Sequence, residues 1–206
     1  MGFNRLVDAR FDALNPRTAM RELPRGMMSR LEATIFVVVS SIVFVFSSSR
    51  LSPLCLALSP VALVIIFWYS LAKRVTTYTQ LFLGLALAVA PVGGWLAAGG
   101  RGGVEPWLLG LAIGLWVGGF DILYACQDVE FDRGHGLRSI PARFGVATAI
   151  RLSRVMHVGA IVAVLLFYEQ SLVSDTDLSQ VKKAFDLNGW VGIVYFATTA
   201  LALYVG

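Results

Sequence analysis

The stretch PWLLGLAIGLWVGGFDILYACQDVEFD, residues 106–132, decides how the chain folds. Residues 106–120 hold no charge, and three aspartates, Asp121, Asp128 and Asp132, then follow. A helix rises about 1.5 Å per residue, so about 20 apolar residues cross a bilayer core. The stretch therefore reads as a transmembrane helix whose far end carries acids. Similar apolar runs lie at 33–48, 54–72 and 80–98 before it, and at 147–168 and 189–206 after it. That predicts an all-α, polytopic transmembrane helix bundle of about six spans, with residues 1–206 forming a single intramembrane domain. Composition agrees: 57% of residues are hydrophobic, 15% are charged and the mean hydropathy is +0.72. Soluble domains carry about 25% charged residues, so a soluble globule and a disordered chain are both excluded.

A net charge of +4 would suit a nucleic-acid binder if the basic residues formed one solvated block. They sit between the apolar runs instead, so the partner they predict is the lipid bilayer, with no nucleic acid. Arg5, Arg10, Arg17, Arg21, Arg25 and Arg30 precede the first run, Lys73 and Arg74 follow the second, and Arg133, Arg138, Arg143, Arg151 and Arg154 follow the fourth. The opposite loops hold only Arg50 and Arg101. By the excess of positive charge on cytoplasmic loops, residues 1–30, 73–79 and 127–146 share the cytoplasmic side. Parity agrees, because four spans separate the first segment from the last. Pro60 and Pro91 predict kinks inside runs. The Gly110, Gly114, Gly118 spacing predicts close helix packing. Cys55 and Cys126 read as small hydrophobes, and His135 and His157 match no metal spacing.

Two acidic constellations fall on that shared side. Asn4, Asp8 and Asp12 are spaced i, i+4, i+8, which aligns them along one helix face. Asp128 and Asp132 repeat the spacing, with Asp121 two turns earlier. Crowded carboxylates repel unless a cation neutralises them, and Mg²⁺ typically takes one or two carboxylates plus water and phosphate oxygens. Two facing clusters of this kind could clamp a diphosphate through bridging metal ions. Either cluster alone could equally be loop residues or helix caps. Both together on one side point to function, since acids near membrane depth are rarely idle. Lys73 and Arg74 are the cations placed to meet phosphate, or else simple topological anchors. Arg17, Arg21 and Arg138 are weaker candidates, read first as topological or lipid-facing. A cation transporter would place its acids mid-span, whereas these lie at span ends.

The strings Asn4-Arg-Leu-Val-Asp8-Ala-Arg-Phe-Asp12, Asn15-Pro-Arg-Thr18, Tyr69-Ser-Leu-Ala-Lys73-Arg74, Asp121-Ile-Leu-Tyr-Ala-Cys-Gln-Asp128-Val-Glu-Phe-Asp132 and Gly136-Leu-Arg-Ser-Ile-Pro-Ala-Arg-Phe-Gly145 resemble the UbiA superfamily of membrane aromatic prenyltransferases. The resemblance implies a helical bundle, usually of nine spans, around a cavity open to the cytoplasm and to lipid. It implies that Asp8, Asp12, Asp128 and Asp132 hold Mg²⁺ and serve catalysis. Asn4, Lys73, Arg74 and Asp121 would bind the diphosphate of a polyprenyl donor, and Tyr69, Tyr124 and Arg138 would line the substrate side. The second substrate would be a small aromatic acid, either 4-hydroxybenzoate or 1,4-dihydroxy-6-naphthoate, for ubiquinone or menaquinone. The setting would be a bacterial inner membrane.

Against that pattern the chain opens at the first acidic motif, and only two apolar runs follow the second. Residues 151–157 resemble the start of one family helix and 163–173 the end of the next, which predicts an internal shortening near Val158. Parity then leaves the side occupied by 175–188 open, and oligomeric state is not legible.

Overall fold

The computed structural model describes residues 2–101 and 103–171. Those residues form eight α-helices: α1 (Gly2–Leu14), α2 (Arg30–Leu51), α3 (Pro53–Val75), α4 (Thr79–Ala97), α5 (Glu105–Ala125), α6 (Val129–Gly134), α7 (Ile140–Phe144) and α8 (Val146–Ser171). Five stretches are long and apolar enough to cross a membrane: α2, α3, α4, α5 with its continuation to Gly134, and α8. They match the first five apolar runs. The sixth, 189–206, lies outside the described residues.

Local chemistry sets the ends. Ser29 caps α2 with a capping box: its Oγ accepts from the Glu32 N–H at 3.1 Å, and its own N–H donates to Glu32 Oε2 at 2.7 Å. Ser52 alone separates α2 from α3 and caps α3 by accepting from the Cys55 N–H at 3.1 Å, while Pro53 takes a first-turn position that needs no donor. α3 and α4 run on as helices through Pro60 and Pro91.

Packing follows chain order. α1 lies on α2 and α3, α2 on α3, α3 on α4, α4 on α5 and α5 on α8. The predicted glycine seam is the α4–α5 joint. An added methyl at Gly110 would stand 2.8 Å from the Ala88 carbonyl oxygen, and one at Gly84 would stand 2.3 Å from that of Gly114. Large apolar side chains such as Phe36, Ile42 and Phe46 of α2 remain outward-facing, as lipid contact requires.

Residues 1–30 are not merely a polar extension. α1 inserts its start beside the spans: the Phe3 ring lies 4.5 Å from that of Phe67 of α3, and Gly2 abuts Val37 of α2. The described 13 residues of α1 carry its acids from beside α2 and α3 toward the end of α3. Beyond α5 a 3₁₀ turn (Cys126–Asp128) leads into α6, and Gly145, at φ +84°, reverses the chain between α7 and α8 in one residue. The buried cluster Ile122, Ile140, Ala149 and Met156 sits directly behind this turn. α8 is unbroken across Val158, so the two helix pieces read there in the sequence are joined into one.

Candidate active site

All four motif aspartates gather at one end of the bundle, where each meets a different cation. α1 presents Asp8 and Asp12. Asp8 Oδ1 accepts from Arg74 Nη2 at 3.2 Å and Oδ2 from Asn4 Nδ2 at 3.1 Å. The same Arg74 nitrogen donates to the Val7 carbonyl at 2.7 Å, which ties the α3 end to α1. Burial pushes the Asp8 carboxyl above its usual value, against the opposing pull of Arg74. Asp12 takes both oxygens to Arg21 Nη1, at 2.7 and 2.9 Å, and its carbonyl accepts from Thr18 Oγ1 at 3.1 Å.

The second motif is met from two directions. Asp128 Oδ1 accepts from Asn15 Nδ2 at 2.9 Å and Arg17 Nε at 3.0 Å, while Arg17 Nη2 binds Oδ2. Arg17 also donates Nη1 to the Tyr124 hydroxyl at 2.6 Å and lies over that ring, 4.6 Å from its centroid. The Asp128 contact holds the Arg17 guanidinium above its usual value. Asp132 is fully buried: Oδ1 lies 2.7 Å from Lys73 Nζ and Oδ2 accepts from Ser139 Oγ at 2.9 Å. Lys73 and Arg74 are consecutive, yet one reaches the second motif and the other the first. Behind them, buried Gln80 accepts from the Ile140 N–H at 3.3 Å, and Ser139 caps α7.

The remaining sequence candidates divide. Asp121 is half-buried within electrostatic reach of Lys73 and Asp128, with no hydrogen bond among the described residues. Tyr69 is half-buried toward Asp121 and Asp8. Arg138 turns away from the acids. Its N–H donates to the Lys73 carbonyl at 2.9 Å and its guanidinium to that of Val75, which braces the basic loop. Arg17 and Arg21, read from the sequence first as topological charges, stand inside the site, and Asn15, Gln80 and Ser139 were not singled out at all. The Asn15-Pro-Arg-Thr18 string held Asn15 and Arg17, and the string 136–145 held Ser139, whereas Gln80 lay in no such string. His135 stacks on Phe131, and His157 meets the Trp116 carbonyl, both away from the aspartates.

Among the described residues no three carboxylates, histidines or cysteines cluster as a ready metal site. The donor set nonetheless fits Mg²⁺. Such an ion needs only one or two carboxylates, and partly exposed Asp8 shares a helix face with Asp12. An apolar groove of about 410 Å³ runs between α5 and α8, lined by Leu109, Ile113, Trp116, Val117, Ile161 and Val164. Val117, which lines it, lies one helical turn before Asp121 on α5.

The UbiA prenyltransferase family profile matches residues 1–175. The 4-hydroxybenzoate octaprenyltransferase of Methylobacillus flagellatus is 30% identical over 94% of this chain and 72% of its own length, and that of Vibrio parahaemolyticus 31% over 93% and 75%. That of Aliivibrio fischeri is 29% identical over 98% of this chain and 78% of its own. The last alignment spans 223 positions against 206 residues here, so that relative carries at least 17 residues within it that this chain lacks. An apo structure of a UbiA homolog from Aeropyrum pernix K1 superposes with a TM-score of 0.72 at 33% identity, covering 98% of this chain and 84% of that one. A helical bundle with both acidic motifs at one end, matched along most of its length in sequence and in three dimensions, places this chain in the UbiA prenyltransferase family.

Proposed function

We propose that the chain transfers a polyprenyl group from polyprenyl diphosphate to a ring carbon of a small aromatic acid of the 4-hydroxybenzoate type, with Mg²⁺, in quinone biosynthesis. The observation that carries this reading is the split of Lys73 and Arg74 between the two acidic motifs. It gathers four carboxylates and four cations at one end of the bundle, a charge pattern suited to a diphosphate with its metal. Mg²⁺ would be held by Asp8, Asp12 and Asp128, with Asp132 fixing Lys73, and when bound would neutralise charge on the leaving diphosphate.

The chain's own residues supply the rest. Lys73 acts as a point charge and Arg74 and Arg17 as forks toward phosphate oxygens. As the C–O bond breaks, its electron pair leaves with the diphosphate. The allylic carbon then bonds to the ring carbon beside the acceptor hydroxyl, which afterwards loses its proton. Apolar walls exclude the water that would capture the cation, and the groove between α5 and α8 suits the isoprenoid chain. Tyr69 and Tyr124 offer π faces to the developing positive charge. The site faces the cytoplasm of a bacterial inner membrane, following the basic loops.

The test is an assay in membranes carrying this chain. Polyprenyl diphosphate is given with 4-hydroxybenzoate or with 1,4-dihydroxy-6-naphthoate, with and without Mg²⁺. Metal-dependent C-prenylated product, lost in Asp8→Ala and Asp128→Ala, is expected, and the productive acceptor names the quinone. Product that persists without metal or in both variants refutes the reading.

A further inference from the structure

Arg17 satisfies Asp128 more completely than any other cation satisfies its aspartate by shape. Nε and Nη2 take one carboxylate oxygen each, and Nη1 is left for Tyr124. Asp128 is nearly buried, with its side chain 9% exposed, while that of Arg17 is 29% exposed. The two oxygens differ. Oδ1 is also held by Asn15 Nδ2, whereas among the described residues Oδ2 is held by Arg17 alone. Asn15 is itself fixed, since its Oδ1 accepts from the Arg17 N–H at 3.0 Å. A divalent cation at Oδ2 would stand beside the guanidinium, where like charges at close range repel strongly in a partly dry site.

Resting on the metal-dependent reading above, we propose that Arg17 is an exchange residue: its guanidinium neutralises Asp128 and yields Oδ2 to an incoming divalent cation, then turns its fork to the phosphate oxygens that arrive with it. Asn15 keeps Asp128 in place during the exchange. Tyr124 gives the displaced guanidinium a second anchor, through its hydroxyl and its π face, so Arg17 stays within reach of the phosphate. Arg17 thus opposes metal binding when the metal comes alone and favours it when diphosphate comes too. A residue with only a structural role would not act with opposite signs on the two ligands.

The test uses the full chain in detergent, Mn²⁺ binding read by electron paramagnetic resonance, and inorganic diphosphate as the second probe. Arg17→Gln is expected to bind Mn²⁺ alone about tenfold more tightly than the wild type, as loss of one charge-assisted contact implies. The same variant should bind diphosphate, at saturating Mn²⁺, about tenfold more weakly. Arg17→Lys keeps the charge without the fork and should fall between the two on both measures. It carries the test should Arg17→Gln not fold. Asp128→Asn separates the two ways to fail. If it weakens Mn²⁺ binding but neither Arg17 variant tightens it, the exchange is refuted and the metal reading stands. If Mn²⁺ binds no variant, or binds Asp128→Asn as it binds the wild type, both fall.

Discussion

The joint that holds the acid-bearing helix in place is Gly84 against α5. A methyl at Gly84 would stand 2.3 Å from the Gly114 carbonyl oxygen, 3.1 Å from its carbon and 3.3 Å from the Gly118 nitrogen. Ordinary contact begins at 3.4 Å, so the shortest overlap is about 1 Å, and every obstacle is backbone that no rotamer can clear. Gly84→Ala must therefore push α4 and α5 apart. Overpacking of this kind costs about 1–3 kcal/mol, offset by up to about 1 kcal/mol of helix propensity, for a net loss of about 1–2 kcal/mol. Gly93→Ala, on the same helix with nothing within 4 Å among the described residues, keeps only the propensity gain. The propensity gain is common to both, so the two variants should differ by the overpacking cost, about 1–3 kcal/mol. Gly118→Ala should fall between them, because the nearest atom is the flexible Met156 Cε at 2.8 Å. The assay is reversible unfolding in mixed micelles titrated with sodium dodecyl sulfate. Since α5 carries Asp121 and leads directly to Asp128, a shift of about 1 Å should also lower turnover by up to about a hundredfold. Gly84→Ala and Gly93→Ala unfolding at the same detergent fraction would refute the packing argument.

Other consequences are as direct. Lys73→Met leaves fully buried Asp132 with Ser139 as its remaining partner, and should cost about 3 kcal/mol. Pairing it with Asp132→Asn should recover part of that loss, and strict additivity in the unfolding cycle would refute the coupling. Ser139→Ala removes both the Asp132 bond and the α7 cap, for about 1–3 kcal/mol, and Ser139→Thr should restore most of it. Because burial raises the Asp8 carboxyl above 3.8, the folded chain holds that proton to higher pH than the unfolded one. The stability it contributes is complete below pH 3.8 and is lost as pH rises through the raised value. Asp8→Asn should flatten that part of the stability profile, and an unchanged slope would count against it.

The five described spans and the shared end of the acids were legible because both rest on local patterns: apolar run length, and the i, i+4 spacing of Asp8 with Asp12 and Asp128 with Asp132. Which cation serves which aspartate was not. Arg17 and Arg21 sit in a basic segment where positive-inside topology accounts for every arginine equally well, and composition cannot tell an anchor from a partner. Their pairing is set by the turn at 15–18, where Asn15 and Thr18 fold the chain back on α1. α1 was legible as a helix face through the spacing of Asn4, Asp8 and Asp12, but its packing on α2 and α3 was not, because in so charged a segment nothing signals contact with the spans. Asp132 and Ser139 were separated by a loop whose course depends on Gly136 holding positive φ.

Asn15 and Asp128 are 113 residues apart in the chain, and Arg17 and Asp128 are 111 apart. During synthesis at about 5–20 residues per second, Arg17 emerges roughly 6–20 s before the carboxylate it will hold. In that interval α2, α3 and α4 must enter the bilayer while Asp12 and Arg17 wait near its surface. Asn15 and Arg17 are therefore made well before the residue that completes their contacts. The pairs of Asp128 with Arg17 and Asp132 with Lys73 act as a latch on biogenesis: they can form only once α5 has been delivered beside its neighbours. A chain stalled before residue 128 would present the cell with an unclosed, charged edge, open to whatever surveys newly inserted membrane proteins.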